Sequence, residues 1–428
     1  MEMSPLTARE VARRVLDRVE SKAAWATLAL DGELGRSGLD ERDRRLASEL
    51  VYGVLRNRSR IDRALAAHAD LGRSPPKVRT ALRVAAYQLL FLDRVPPYAA
   101  VDDAVAAARA VGGTKLGGFA NAVLRKVARD REPALPPEGT RARLEAEHSL
   151  PTWIADELAA ALADTPAELP RVAAALGEPP PLIARANRLR TTRAALIEHL
   201  TVAGITATPV GEDPSMAVRL ADLGDPSRSP SFVAGSWTVQ DAGAQRVALV
   251  AAPRPGMRIL DACSGVGGKA THLAELAGGT AEIDAADQSK TKLALLAETA
   301  QRLGIAGIRT LACDLLDPAA PLAPAYDLIV LDAPCSGLGV LRRHPDAKWR
   351  LTPDAVPRLA SLQRQLLDAL VPRLAPAGAL VYAVCTFTRA EGPDQVAQLV
   401  ARTGLRLVHE ERTWPPDADA FYVARLER

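Results

Sequence analysis

The sequence predicts two fold classes in one chain: an all-α bundle at the front, and at the back an α/β domain built on a mostly parallel, doubly wound sheet. Three observations predict this. From Thr7 to Asp130, apolar residues recur with helical period. After Pro253, short apolar runs ending in an acid or a cysteine alternate with helical stretches, the pattern of parallel strands covered on both faces. Between the two regions, Pro133, Pro136, Pro137 and Gly139 break the helical period and mark a linker. At 428 residues the chain exceeds one ordinary core, since domains run to roughly 100–200 residues.

The first helix follows from Val11, Val15, Leu16 and Val19, which share one helical face. Leu46, Leu50, Val51, Val54 and Leu55 give a second over 43–56, and further helices fit 77–92 and 120–127. Ser74-Pro75-Pro76, Val95-Pro96-Pro97 and Gly112-Gly113 punctuate the turns. A mixed segment occupies about 141–250 and includes the step Pro179-Pro180-Pro181. Strands are then expected at 258–261, 281–287, 310–314, 327–332 and 379–385. Sheets of this kind bind ligands at the carboxyl ends of their strands, where Asp261, Asp287, Asp314, Asp332 and Cys385 fall.

A hydrophobic fraction of 48% with 25% charged residues is that of a globular protein. Every apolar run is interrupted before the roughly 18–20 residues a membrane span needs, and the N-terminus has neither a basic nor an apolar leader region. A cytoplasmic protein is expected. Cys263, Cys313, Cys335 and Cys385 are too sparse for a disulfide framework and form no zinc pattern; with His344 isolated from other ligand types, no metal is assigned. Residues 1–130 hold 23 Lys and Arg against 16 Asp and Glu, whereas the whole chain carries only +3. A basic front region suits a polyanion partner, though a solvated helical face carries such a surplus equally well.

The turn Asp261-Ala262-Cys263-Ser264-Gly265-Val266-Gly267-Gly268-Lys269 brings backbone close to a ligand before a helix begins. It lacks the spacer and the Ser or Thr of a phosphate-binding loop. Asp287 stands where ribose hydroxyls are bound in dinucleotide-type folds, Asp314 could receive an adenine amine, and Lys269 suits a carboxylate. That set fits a sulfonium donor with an amino-acid tail. Asp332-Ala333-Pro334-Cys335-Ser336-Gly337 places an acid and a thiol at one cleft, and Cys385 closes another strand. Cytosine C5 is a poor nucleophile, but thiolate addition at C6 makes it enamine-like and able to accept a methyl group. In Arg342-Arg343-His344-Pro345-Asp346-Ala347-Lys348-Trp349-Arg350, the basic residues could hold phosphates while Trp349 stacks; a solvated loop with a core tryptophan is the alternative.

These motifs, with Gly339-Val340-Leu341-Arg342-Arg343-His344-Pro345-Asp346 and Lys348-Trp349, resemble the bacterial 16S ribosomal RNA cytosine-C5 methyltransferases of the Sun/RsmB type. The stretches 40–56 and 119–125 resemble the NusB-like helical domain of that family, and 239–245 and 421–426 extend the likeness over nearly the whole chain. The resemblance implies a Rossmann-like class I methyltransferase fold preceded by an all-α NusB-like bundle. It divides the chain into a NusB-like RNA-binding domain at 1–135, a mixed α/β linker and RNA-binding subdomain at 141–250, and a catalytic domain at 251–428. It further implies S-adenosyl-L-methionine as cofactor, 16S ribosomal RNA as partner and a monomer without membrane or metal. Cys385 would be the nucleophile, Cys335 would assist product release and Asp332 would contact the N3 edge of cytosine. The cofactor would lie against Cys263, Ser264, Gly265, Val266, Gly267, Gly268 and Lys269, with Asp287, Asp314 and Asp332. The family turn usually reads Ala-Pro-Gly-Gly-Lys; here Gly265-Val266 replaces its first two residues, which loosens the turn without removing a donor or a charge. DNA cytosine methyltransferases share the chemistry but would make Cys335 the nucleophile. A dehydrogenase would explain the glycine turn but not the cysteines, and a non-catalytic RNA-binding scaffold would explain neither.

Overall fold

The computed structural model describes residues 6–212 and 215–428, which divide into two units. The first comprises the described residues up to Glu178 together with Leu341–Thr352. Its helices are α1 (Ala8–Lys22), α2 (Ala26–Ser37), α3 (Glu41–Arg56), α4 (Arg58–Ala66), α5 (Pro76–Phe91), α6 (Pro97–Asp130), α7 (Arg141–His148), α8 (Thr152–Ala161) and α9 (Leu169–Gly177). Thr7 and Asp40 cap α1 and α3, each side chain accepting a backbone N–H of the first turn. Val11, Val15, Leu16 and Val19 are buried as their spacing predicts, and the core they enter includes Leu50, Val54 and Leu82. α6 is two arms meeting at Gly112-Gly113, where Gly113 takes a φ of 67°. The mixed segment begins with three helices, and strands appear only from Leu182.

The second unit holds two sheets. The smaller is antiparallel, in the order β2-β3-β1-β4, from β1 (Leu182–Ala186), β2 (Thr206–Pro209), β3 (Ala217–Ala221) and β4 (Trp237–Val239). Helix α10 (Arg193–Val202) supplies Leu196 and Leu200 to its core beside Val218, Leu220 and Trp237; α11 (Pro230–Val233) is a single turn before β4. Then follow α12 (Ala242–Ala251), β5 (Arg258–Ala262), α13 (Gly268–Leu276), β6 (Glu282–Asp287), α14 (Lys290–Leu303) and β7 (Ile308–Ala312). β8 (Tyr326–Asp332), α16 (Ala355–Leu370), β9 (Leu374–Val384), α17 (Pro393–Thr403), β10 (Arg406–Arg412) and β11 (Tyr422–Glu427) complete it. The large sheet runs β10-β11-β9-β8-β5-β6-β7, parallel from β9 to β7, with β11 antiparallel to both its neighbours. Along β8, Leu328 and Val330 enter the core on one face, Ile329 and Leu331 that on the other. A strand covered on both sides is for that reason apolar throughout.

Arg185 of β1 ties the small sheet to the large one. Wholly buried, it bonds both Glu275 oxygens at 3.2 and 2.7 Å, Thr271 Oγ1 at 3.0 Å and the Gly268 carbonyl at 2.8 Å, and it also meets Gln240. Because a buried ion pair is costly to break from one side, Arg185→Ala should destabilise the protein by about 3–5 kcal/mol. Urea unfolding reads this directly, and a loss under about 1 kcal/mol would place the guanidinium in an ordinary surface pair.

The segment Leu341–Thr352, with its one helical turn α15 (Ala347–Arg350), is seated among the helices of the first unit. Lys348 Nζ donates to the Arg56 carbonyl at 2.8 Å and Trp349 Nε1 to that of Leu55 at 2.7 Å. Arg350 pairs with the buried Asp346 at 2.9 Å and lies over the Trp25 ring. This corrects the expectation that Lys348, Arg350 and Trp349 face RNA: their polar atoms are engaged within the helical unit. Burial, and after it the nearby Arg56, push the Lys348 pKa down to about 7. The unfolded chain keeps that proton up to the ordinary value of 10.5, so it binds more protons between those limits and stability must rise with pH across the window. Lys348→Met should flatten that rise in urea midpoints taken from about pH 7 to about pH 10; parallel curves for the two proteins would show a normally titrating lysine.

Candidate active site

The five parallel strands deliver their carboxyl ends to one edge. Between β5 and β8 the connections depart in opposite directions, leaving a crevice. A cavity of about 470 Å³ opens there, lined by Cys263, Gly265, Asp287 and Asp314 on one side and by Asp332, Cys335 and Cys385 on the other. Seven of the twelve residues expected at the site thus share one cavity. Ser264, Val266, Gly267, Gly268 and Lys269 do not line it.

The turn after β5 coils tightly enough to put Cys263 and Gly265 in the left-handed region, at φ 62° and 55°. A side chain at Gly267 (φ 84°) would strike Leu296 of α14, so this second glycine of the turn is required by packing. Asp287 orders this turn, accepting from Gly265 N at 3.0 Å and Ser289 N at 2.8 Å, and Asp314 accepts from Leu316 N at 2.9 Å. Burial, then the Asp332 charge, push the Cys263 thiol up to about 12, which makes it inert.

Lys269 finds a carboxylate as its type predicts, but that of Asp332, at 2.5 Å. Burial opposes its charge, yet Asp332, Asp261 and Cys385 outweigh it and the Lys269 pKa is raised. Beneath them Asp261 is wholly buried, with no side chain among the described residues bonded to its carboxylate and only the Ala270 backbone N–H and the Lys269 charge to favour its ionised form. Its burial, opposed by Lys269 and reinforced by Asp332, lifts its pKa to about 7.

Cys335 Sγ and Cys385 Sγ are 3.4 Å apart. The hydrogen bond to Cys385, then burial, raise the Cys335 pKa well above the ordinary thiol value. Either sulfur can be the donor in this contact, and ionisation of Cys335 is the disfavoured one of its two states. The turn beyond Cys335 folds over the end of β9, where Gly339 N donates to the Cys385 carbonyl at 3.0 Å. A methyl at Gly339 would enter the carbonyls of Ala420 and Cys385.

Sequence reasoning passed over Glu391, which is completely buried between the two cysteine turns. Its only signal was an acid six residues beyond Cys385, in a stretch with no helical or strand period.

Residues 248–427 match the 16S rRNA methyltransferase RsmB/F family, residues 6–129 the NusB family, and residues 150–225 the ferredoxin-like domain of RsmF/B-like methyltransferases. A probable ribosomal RNA small subunit methyltransferase B of Synechocystis is 35% identical, covering 92% of this chain and 89% of its own length. The ribosomal RNA small subunit methyltransferase B of Pseudomonas putida is 35% identical over 98% of both chains. Among solved structures, a methyltransferase homologue from Pyrococcus horikoshii superposes with a TM-score of 0.60 at 22% identity, covering 68% of this chain and all of that one. NSun6 from the same organism, solved with SFG, gives 0.58 at 20% identity over 65% of this chain and 98% of its own. At such identity these two establish the fold alone.

Gly339→Ala should cost about 1–3 kcal/mol by overpacking and displace the Cys385 backbone. Chemical denaturation gives the first quantity; a variant as stable as wild type would mean that the two carbonyls yield freely.

Proposed function

The chain belongs to the bacterial ribosomal RNA small subunit methyltransferase B family, enzymes of the Sun/RsmB type with a NusB-like helical domain, and from that premise we propose that it methylates C5 of a cytosine in 16S rRNA through a covalent Cys385–C6 bond. The observation that carries this reading is the sulfur pair, 3.4 Å apart in the same cavity as Asp287 and Asp314.

S-adenosyl-L-methionine supplies an electrophilic methyl group when bound. The residues fit it: Gly265 offers backbone without a side chain in the way, and Asp287 and Asp314 stand at successive strand ends as ribose and adenine acceptors. Of the turn after β5, Cys263 and Gly265 line the cavity and would lie against the methionine part. Lys269, held by Asp332, serves the base side of the cleft instead.

Cytosine enters against Asp332 and Cys385. Thiolate attack at C6 moves the ring π electrons toward N3, where the Lys269–Asp332 pair can hold the developing charge and its proton. C5 becomes enamine-like and takes the methyl group. A water molecule at the cleft then takes the proton from C5, the C–H electron pair re-forms the C5=C6 bond, and the C6–S bond breaks with its electron pair returning to sulfur. The Cys335 thiol, 3.4 Å away, is placed to donate a hydrogen bond to that departing thiolate. Lys269 also offers what an anionic sulfur at Cys385 needs, a fixed ammonium in a buried setting.

RNA carrying 5-fluorocytosine should trap the wild-type enzyme as a denaturation-resistant adduct. Cys385→Ala should abolish the adduct and reduce methyl transfer by at least about a thousandfold, as loss of a nucleophile does elsewhere. Cys335→Ala should accumulate adducts even on ordinary cytosine. An adduct that survives Cys385→Ala and vanishes in Cys335→Ala would reverse the two roles.

A further inference from the structure

We propose that Glu391 is a positioning residue that clamps the two cysteine turns together and thereby holds the sulfurs of Cys335 and Cys385 in contact. Its side chain is 0% exposed and does not line the cavity, so it touches neither nucleobase nor methyl donor. Its carboxylate is saturated by groups from both turns. Oε1 accepts from Ser336 N at 2.8 Å and from Gln363 Nε2 at 3.1 Å; Oε2 accepts from Ser336 Oγ at 2.5 Å and from Thr388 Oγ1 at 2.9 Å. Ser336 directly follows Cys335.

The network also reaches Cys385. With its own proton given to Glu391, Ser336 Oγ must accept from Thr386 Oγ1 at 2.9 Å, and Thr386 directly follows Cys385. Gln363 Nε2 additionally donates to the Pro334 carbonyl at 2.9 Å, which fixes the residue before Cys335. Tyr382 OH, near the end of β9, donates to the backbone carbonyl of Glu391 at 2.6 Å and anchors the clamp itself. A buried anion with every acceptor filled is rigid, because releasing any donor leaves both partners unsatisfied. The Glu391 charge also helps to raise the Cys335 pKa, behind the hydrogen bond to Cys385, burial and the Cys385 charge. Glu391 therefore holds the sulfurs in reach, and its charge also disfavours ionisation of Cys335.

The catalytic consequence of this role rests on the sulfur chemistry proposed above; the geometric one does not, and the two are measured separately. In the full-length protein without RNA, diamide oxidises two adjacent thiols to a disulfide and takes up their two electrons and two protons, so the rate of the Cys335–Cys385 link, read by peptide mass spectrometry, reports their separation. Glu391→Ala should slow this link by about tenfold, whereas Glu391→Gln, which keeps the Oε1 acceptor and can donate to the two hydroxyls, should stay within about threefold of wild type. On RNA, Glu391→Ala should accumulate covalent adduct with Cys335 intact and lower kcat while leaving KM near wild type. A wild-type linking rate in Glu391→Ala overturns the proposal. Slowed linking together with no adduct in either Glu391→Ala or Cys335→Ala supports the clamp and sinks the covalent mechanism instead. If Glu391→Ala loses its cooperative melt, Thr386→Val, which removes the Ser336–Thr386 bridge and a long 3.4 Å bond from Thr388 N, makes the same decision: linking slowed by about threefold supports the clamp, and an unchanged rate overturns it.

Discussion

Parallel pairing of β8 with β9, in a register that sets Asp332 opposite Ala383, is the constraint on which the site depends. Side chains alternate along a strand, so a slip by one residue would exchange the apolar layers above and below the sheet and turn every strand-end group away from the crevice. The slip is prevented by burial on both faces, since Leu328 and Val330 belong to one core and Ile329 and Leu331 to the other. The Ala333 N–H, bonded to the Ala383 carbonyl at 2.9 Å, carries the pairing one residue past Asp332. Hydrophobic packing over the length of the sheet thus decides the position of two sulfur atoms at its edge.

On that frame the charges are arranged by burial. Asp261, Asp332 and Asp287 form an acidic floor with Lys269 as its compensating cation. Such a group of like charges is unfavourable in a folded protein unless a ligand or proton shares it. The raised pKa of Asp261 is the visible response: the floor sheds one negative charge near neutral pH while Lys269 keeps its proton. The helical unit solves a similar problem with complete pairing, as Arg83 meets both Asp62 oxygens at 2.7 and 2.9 Å and Glu20 at 3.0 Å.

What could be read from the residues was whatever follows from local periodicity and from position at a strand end. Val11, Val15 and Val19 announce a helix, and Asp287, Asp314 and Asp332 end apolar runs, so their gathering follows from the class of sheet. β10 and β11 were not expected. Most of β10 is exposed, as at Arg406, Glu410 and Leu407, so it lacks the apolar run that marked the parallel strands. α2 was hidden by a weak pattern, since Ala26, Ala29, Glu33 and Ser37 share its buried face with only two leucines, Leu30 and Leu34. Glu391, Arg185 and Lys348 were illegible for another reason: each is a charged residue whose partners lie far away in sequence, and local chemistry assigns such residues to the surface. Lys269 was read correctly in kind, as a cation awaiting a carboxylate, but which carboxylate is a question of three-dimensional placement.

The polypeptide passes between its two units three times, after Glu178, after Val340 and after Thr352. A single cut therefore cannot separate them into two autonomous bodies. Any shortened version beginning near Pro179 would retain Leu341–Thr352 without the helical carbonyls that accept from the Trp349 indole and the Lys348 side chain. That orphaned stretch lies in sequence between the turn that carries Cys335 and helix α16. Fusion, truncation and domain-exchange experiments on this scaffold would have to move residues 341–352 along with the helical part.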